Sequence, residues 1–170
     1  MAALGPGRLA AAVAGLAALC VIVAALVLEH GFGYAPCPLC LLERWPYYIG
    51  VPLALLLAAA GRALPRQVMA GGLVVLAGVF VWGLYLGVYH AGAEWRFWLG
   101  PADCAAGTSA TLPSDVGNLL DAIQTSTVVS CTDPQLRILG LSLAAWNAVV
   151  MAGLTAIALW GAYREAVRSR

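Results

Sequence analysis

Charged residues are scarce in this sequence. Only 10% of the 170 residues are charged, lysine is absent, and all nine basic residues are arginine. Hydrophobic residues make up 62% of the chain and the mean hydropathy is +0.88, which excludes an ordinary soluble domain. The net charge of +1 gives no reason to expect nucleic-acid binding. The composition therefore predicts a membrane protein.

Four long stretches of the chain carry no charged residue. They cover about residues 9–28, 45–61, 67–90 and 138–163, and each is long enough to cross a hydrocarbon core, which needs about 17–25 residues. The stretches lack the two-residue alternation of a barrel strand, so helices must satisfy their backbone amides. The sequence predicts an all-α membrane protein, a single four-transmembrane-helix bundle over residues 1–170. For the first stretch a cleaved signal peptide is the alternative, although its apolar core normally has only about 7–15 residues.

The arginines are distributed unequally between the two predicted sides of the membrane. Three fall on one side: Arg44, Arg96 and Arg137. The other six fall on the opposite side: Arg8, Arg62, Arg66, Arg164, Arg168 and Arg170. The positive-inside rule makes the richer side cytoplasmic. Both termini are then cytoplasmic, and the loops at about 29–44 and 91–137 face the other compartment, which is the periplasm if the membrane is a bacterial inner membrane.

Four of the five cysteines lie in the two predicted outer loops. They are Cys37, Cys40, Cys104 and Cys131, whereas Cys20 lies inside the first span and is assigned no role. In an oxidising compartment such cysteines tend to form disulfides. Cys37 and Cys40 form a CxxC motif, in which one thiolate is readily stabilised. The alternatives are a structural disulfide and half of a zinc site. No metal is expected, because Cys104 and Cys131 do not form a second CxxC motif.

Arg44 follows the CxxC motif at the start of the second span. If a helix begins near Leu39, then Cys40 and Arg44 share one face, and the helix N-terminus and the guanidinium both favour a Cys40 thiolate. Arg44 is also suited to hydrogen-bond a quinone carbonyl, the alternative being that it only reaches lipid headgroups. Three aromatic residues nearby are expected in the interfacial belt: Trp45, Tyr47 and Tyr48.

The loop at 91–137 contains one amphipathic pattern. Apolar residues recur at helical spacing after Pro113-Ser114-Asp115: Val116, Leu119, Leu120 and Ile123. This spacing predicts a short helix that lies on the membrane surface or packs against the bundle. Three carboxylates at or near the outer loops are expected to be exposed and solvated, the alternative being that they relay protons: Glu43, Glu94 and Asp103.

Four blocks together resemble the disulfide bond formation protein B (DsbB) family over essentially the whole chain. They are Cys37-Pro-Leu-Cys40-Leu-Leu-Glu-Arg44-Trp-Pro-Tyr-Tyr48, Tyr89-His90-Ala-Gly92-Ala-Glu94-Trp95, Gly100-Pro101-Ala-Asp-Cys104, and Cys131-Thr-Asp-Pro134 followed by Leu139-Gly-Leu-Ser142-Leu-Ala-Ala-Trp146-Asn147. The resemblance implies an enzyme, a quinone-dependent thiol oxidase that sustains disulfide formation in the periplasm.

The resemblance also implies a role for each outer cysteine. Cys104 and Cys131 would form the disulfide that a reduced DsbA-like oxidant attacks, with Cys104 taking the partner. Cys131 would then attack Cys37 and release Cys40 as the thiolate that reduces ubiquinone or menaquinone. His90 would approach the quinone, the alternative being a histidine merely satisfied at the interface. Because DsbA is itself a strong oxidant, its acceptor must have a still higher potential.

Two other classes of protein compete with this interpretation. A vitamin K epoxide reductase-like enzyme would carry its CxxC motif within a late span, whereas Cys37 and Cys40 precede the second span. A transporter or structural subunit with purely structural disulfides would need a polar pathway, and the spans contain no Asp, Glu or Lys to form one. Two further features are interpreted as structural: Asn147 bonding across helices, and Gly83 and Gly87 allowing close packing inside the bundle.

Overall fold

The computed structural model describes residues 5–61, 63–100, 131, 132, 134 and 136–168, and most of them are helical. The helices are α1 (Pro6–Phe32), α2 (Pro38–Leu42), α3 (Trp45–Ala60), α4 (Arg66–Glu94) and α5 (Leu143–Arg168). Two short antiparallel strands precede α5: β1 (Arg137–Ile138) and β2 (Leu141–Ser142). Cys104 and the amphipathic helix expected near residues 116–123 lie outside the described residues.

Within the described part of the chain, three helices are long and apolar enough to cross a membrane. They are α1, α4 and α5, and they make this a multi-pass membrane protein. Helix α3 has only 16 residues and carries Pro52 in its interior. A crossing by α3 therefore stays a prediction.

The long helices pack into one bundle, in which α4 lies mainly against α5 and α1 mainly against α3. On α1 the buried face consists of small residues, among them Ala11, Ala14 and Ala18. The larger core side chains come from the facing helices, with Phe80 on α4 and Met151 on α5 fully buried. Small residues let helix backbones approach closely. Close packing stabilises helix association in a membrane, because the hydrophobic effect does not act between helices that are surrounded by lipid.

Gly83 and Gly87 lie at the contact between α4 and α5, as the sequence indicated. A methyl group at Gly87 would lie 3.0 Å from the backbone nitrogen of Ala148 and 3.1 Å from its Cα. Because these are backbone atoms, they cannot move aside without separating the two helices. Gly78 on the same helix differs, since a methyl group there would meet no atom within 4 Å.

Gly87→Ala is therefore expected to destabilise the protein, and Gly78→Ala is its matched control. Overpacking at Gly87 costs about 1–3 kcal/mol, which exceeds the gain of up to about 1 kcal/mol in helix propensity. The thermal unfolding midpoint in detergent, followed by circular dichroism, should fall for Gly87→Ala and stay level or rise for Gly78→Ala. Equal midpoints for the two variants would contradict this account of the contact.

The last long helix begins later than the sequence predicted. Ile138, the expected start of the span, lies in β1, and Leu139 and Gly140 form the turn to β2 with φ of 53° and 82°. Two successive residues at positive φ are typical of a tight two-residue hairpin. The indole N–H of Trp146 donates to the carbonyl of Ile138 at 3.0 Å, which ties the hairpin to α5. Helix α5 therefore starts at Leu143.

Candidate active site

The CxxC motif forms the N-terminal end of α2. Cys37 is the N-cap residue, and Pro38 begins the helix, where its missing N–H costs nothing. The backbone N–H of Cys40 donates to Cys37 Sγ at 3.1 Å, and the two cysteines form a disulfide. Cys37 is buried and Cys40 is half-buried. Cys40 is therefore the more accessible residue of the pair.

The helix that carries the motif does not continue unbroken into α3. It is interrupted at Glu43 and Arg44, where the N–H of Arg44 donates to the carbonyl of Leu41. The prediction that one continuous helix carries Cys40 and Arg44 is therefore wrong. The Arg44 guanidinium forms an ion pair with Glu29 near the end of α1, and Arg44 and Glu29 line the same cavity as Cys40.

His90 of α4 links the disulfide to a buried carboxyl group. Its Nε2 lies 3.7 Å from Cys37 Sγ, and its Nδ1 lies 2.7 Å from Oε1 of Glu43. His90 and Glu43 are 4% and 8% exposed, so this contact is shielded from solvent. A histidine between a sulfur and a carboxyl group is suited to move a proton to or from that sulfur.

The polar chain continues across the bundle to α5 and α3. Asn147 Nδ2 donates to Glu43 Oε2 at 2.9 Å, and the Tyr47 hydroxyl donates to Asn147 Oδ1 at 2.6 Å. The prediction that Asn147 forms hydrogen bonds to other helices is confirmed. The expectations that Glu43 is solvated and that Tyr47 belongs to the interfacial belt are wrong, because both side chains are buried. Trp45 and Tyr48 are exposed, as expected for belt residues.

Burial changes the acid–base properties of Glu43. Desolvation raises its pKa above the ordinary value of 4.5, although the hydrogen bonds from His90 and Asn147 favour the carboxylate. Glu43 therefore takes up a proton more readily than a solvated carboxyl group does. The Glu94 side chain is also only 5% exposed, which corrects the expectation of a solvated group. Its Oε1 lies 3.9 Å from His90 Nε2, and its Oε2 has no partner among the described residues.

An apolar cavity of about 360 Å³ lies beside the disulfide. Its walls come from α1 and α5, with residues such as Ile22, Leu28 and Val150. Its polar lining is small and includes these residues: Glu29, Cys37, Cys40, Glu43, Arg44, Tyr47, His90, Glu94 and Asn147. A mostly apolar cavity of this size with a few convergent polar groups is typical of a site for a small organic molecule.

Cys131 completes the cluster of sulfurs. It is 1% exposed and packs with Cys37 and Leu39, and it is itself disulfide-bonded. Cys104 lies outside the described residues. Cys20 is a free cysteine exposed on the outer surface of α1. The structure therefore brings together five of the predicted site residues: Cys37, Cys40, Arg44, His90 and Cys131.

Comparison with known proteins decides the family. A family model described as disulfide bond formation protein DsbB matches residues 7–161. The chain belongs to the DsbB family. Among its relatives named disulfide bond formation protein B, that of Saccharophagus degradans is 36% identical over 85% of this chain and 86% of its own. That of Cupriavidus pinatubonensis is 32% identical over 77% of each chain. No solved structure gives a significant match.

Membership of the DsbB family confirms the resemblance stated above and implies disulfide oxidoreductase activity. It does not favour the transporter or vitamin K epoxide reductase alternatives. From the sequence, proton relay by Glu43 was only the less favoured alternative to a solvated carboxylate, although one signal of its burial was available. Asn147 lies in an apolar helix and needs a polar partner, and few polar side chains are available near the second span.

Proposed function

We propose that this DsbB-family protein oxidises a thioredoxin-like dithiol protein of the DsbA type and transfers the electrons through two cysteine pairs to a membrane quinone. The observation that carries the proposal is the position of the Cys37–Cys40 disulfide. It lies at the polar end of an apolar cavity between membrane-spanning helices, with Cys131 packed against it.

The proposed exchange begins at the Cys104–Cys131 disulfide. A thiolate of the reduced partner attacks Cys104, forming a mixed disulfide and releasing Cys131 as a thiolate. Cys131 then attacks Cys37, so that a Cys131–Cys37 bond forms and the Cys37–Cys40 bond breaks, with the electron pair passing to Cys40. The packing of Cys131 against Cys37 supports this order of attack. The second thiolate of the partner then displaces Cys104 and the partner leaves with its own disulfide. Cys104 attacks Cys131, which re-forms the Cys104–Cys131 bond and releases Cys37 as a thiolate. The Cys37 and Cys40 thiolates re-form their disulfide by giving two electrons to an acceptor, which completes the cycle.

The cavity has the properties that a quinone headgroup requires. A quinone presents a flat apolar ring and two carbonyl oxygens, which match the apolar walls and the donors of Arg44 and His90. The ion pair with Glu29 would hold the Arg44 guanidinium in place. When bound, a quinone of either type, ubiquinone or menaquinone, would supply an acceptor for the two electrons of the re-forming Cys37–Cys40 disulfide.

His90 and Glu43 are proposed to manage the proton at Cys37. The thiolate is the reactive form of a cysteine, and His90 Nε2 lies 3.7 Å from Cys37 Sγ. Glu43 shares a hydrogen bond with Nδ1 of the same ring. When Nε2 gains a proton, the positive charge on the ring is stabilised by Glu43, which can also take the proton from Nδ1. Asn147 and Tyr47 hold Glu43 in position.

The proposed setting is the bacterial inner membrane, with four spans, cytoplasmic termini and the two cysteine pairs on the periplasmic side. The arginine distribution supports this orientation. The site is assembled from the C-terminal ends of α1 and α4 and the N-terminal ends of α3 and α5. All four helix ends would then lie at the same, periplasmic side of the bundle.

The test of this function is quinone reduction by the purified full-length protein in detergent, with a reduced DsbA-type protein as electron donor. We expect the quinone absorbance to fall at a rate that depends on both the donor and the quinone. The rate should drop to background in Cys37→Ser and in Cys104→Ser. Absence of turnover with both ubiquinone and menaquinone would refute the proposal.

Arg44→Ala is expected to raise the quinone KM about 10-fold or more and to change the KM for the protein donor less than about 2-fold. The loss of one charge-assisted hydrogen bond is worth about 1.5–3 kcal/mol, which sets that magnitude. Arg137→Ala is the matched control, because Arg137 is an exposed arginine of the β1 strand. The same steady-state assay measures both constants, and an unchanged quinone KM in Arg44→Ala would exclude Arg44 from the site.

A further inference from the structure

The atoms around the disulfide form a potential set of metal ligands. The sulfurs of Cys37 and Cys40 and a ring nitrogen of His90 all lie within 4.8 Å of one another. The cysteine spacing argues against a zinc site made of four cysteines. The set found here is different, because it combines two cysteines with a histidine. In the disulfide the sulfurs are bonded to each other and are poor ligands, but a reduced pair offers two thiolates, which are strong ligands of soft divalent metals.

The distance between Cys37 and His90 is close to that in a tetrahedral zinc site. Zn–S bonds of about 2.3 Å and Zn–N bonds of about 2.0–2.1 Å place the two ligand atoms about 3.5 Å apart in a tetrahedron. Cys37 Sγ and His90 Nε2 are separated by 3.7 Å. A zinc ion between them would therefore require only a small adjustment of these side chains.

Glu94 supplies an independent indication of a ligand. Its side chain is only 5% exposed, and Oε2 is buried with no hydrogen-bond partner among the described residues. Its Oε1 lies 3.9 Å from His90 Nε2, the nitrogen that faces Cys37. A buried carboxylate oxygen without a hydrogen-bond partner is costly, and a cation bound to the carboxylate would satisfy it.

Glu43 prepares His90 as a ligand from the other side. The contact between Nδ1 and Glu43 orients the ring so that Nε2 faces Cys37, and the ring also hydrogen-bonds the backbone of Cys131. Nε2 must lose its proton to bind a metal ion. Zinc-bound histidines usually have such a carboxylate or carbonyl partner on the second nitrogen, and it raises their basicity. Glu43 is therefore a positioning residue for this site.

We propose that the reduced form of this protein binds one Zn²⁺ ion through the cluster of Cys37, Cys40 and His90, and that the oxidised form does not. Glu94 lies outside that cluster and becomes the fourth ligand by an adjustment of its side chain. The site goes beyond the proposed function and rests only on its premise that the Cys37–Cys40 disulfide is reducible. Binding replaces two S–H bonds by two Zn–S bonds and releases two protons without any change of oxidation state. The bound ion holds the sulfurs apart, so the disulfide re-forms only after Zn²⁺ leaves.

The experiment uses the full-length chain in detergent with Cys20, Cys104 and Cys131 replaced by serine, so that only the CxxC pair remains. Zn²⁺ is titrated by competition with a chromogenic zinc chelator, once with the oxidised protein and once after reduction and anaerobic removal of the reductant. We expect one equivalent bound by the reduced protein, with an affinity at least about 100-fold above that of the oxidised protein. Co²⁺ in place of Zn²⁺ should give a thiolate charge-transfer band.

His90→Ala and Glu94→Gln should each weaken binding, His90→Ala by about 10-fold or more. The matched control is His30→Ala, because His30 is an exposed histidine near the end of α1. Glu94→Gln is nearly isosteric, so it tests the site even if His90→Ala fails to fold. Equal affinity of the oxidised and reduced proteins, or no effect of either substitution, would overturn the site. The titration contains neither quinone nor protein donor, so its outcome is independent of the turnover assay.

Discussion

Cys40→Ser is expected to abolish quinone reduction, whereas Cys20→Ser leaves the rate within about 2-fold of the wild type. Without the Cys40 sulfur the Cys37–Cys40 disulfide cannot form, and the rate should fall by at least about 10³-fold because the nucleophilic electron donor is missing. Cys40 lines the cavity and is bonded to Cys37. Cys20 is exposed on α1 and does not line the cavity.

The two serine variants are matched in chemistry, since each removes one sulfur from the same chain. The measurement is the initial rate of quinone reduction with the reduced protein donor, normalised to the amount of folded protein. Equal loss in Cys40→Ser and Cys20→Ser would show that the effect does not depend on the disulfide sulfur, and it would remove Cys40 from its proposed role.

Glu43→Ala is expected to reduce both stability and turnover. The substitution leaves His90 Nδ1 and Asn147 Nδ2 without their acceptor. Each buried polar group left unsatisfied costs about 1–3 kcal/mol, so for these two groups we expect a loss of about 2–6 kcal/mol in the free energy of unfolding. Turnover should fall by about 10²-fold, the usual contribution of a positioned proton-transfer group. Glu43→Gln keeps the contact with Asn147 and should recover most of the stability but little of the turnover.

Glu165→Ala is the matched control for this prediction. Glu165 is 8% exposed, like Glu43, and it accepts a hydrogen bond from the backbone N–H of Gly7 at 2.8 Å. Its loss should lower stability without affecting the turnover of the folded protein, because it lies far along α5 from the cavity. Thermal unfolding in detergent and the quinone assay separate the two effects. If both alanine variants lose turnover in proportion to stability, Glu43 has only a structural role.

The apolar segments were predicted well because their signal is local. A helix in lipid needs a continuous run of apolar residues, and such runs are visible in α1, α4 and α5. Boundaries were less predictable. The late start of α5 depends on Leu139 adopting positive φ, which is unusual for a residue with a side chain.

Pro46 is a sequence signal for the break after α2. It has no N–H to donate to the carbonyl of Leu42, so a helix from Leu39 is expected to be interrupted near Glu43 and Arg44. In the structure the interruption is accompanied by the ion pair of Arg44 with Glu29 and the burial of Glu43. The proline therefore indicates where the helix breaks, whereas only the tertiary structure supplies the partners of Glu43 and Arg44 on other helices.

The sequence by itself determined the class of protein, its apolar helices, the CxxC motif at a helix start and the resemblance to the DsbB family. Each depends on composition or on residues a few positions apart. Only the tertiary structure decided that His90, Glu43 and Asn147 form one polar chain beside an apolar cavity. His90 and Asn147 lie 47 and 104 positions from Glu43, and helix packing alone brings such distant residues together, because the local rules of helix formation act over about one turn.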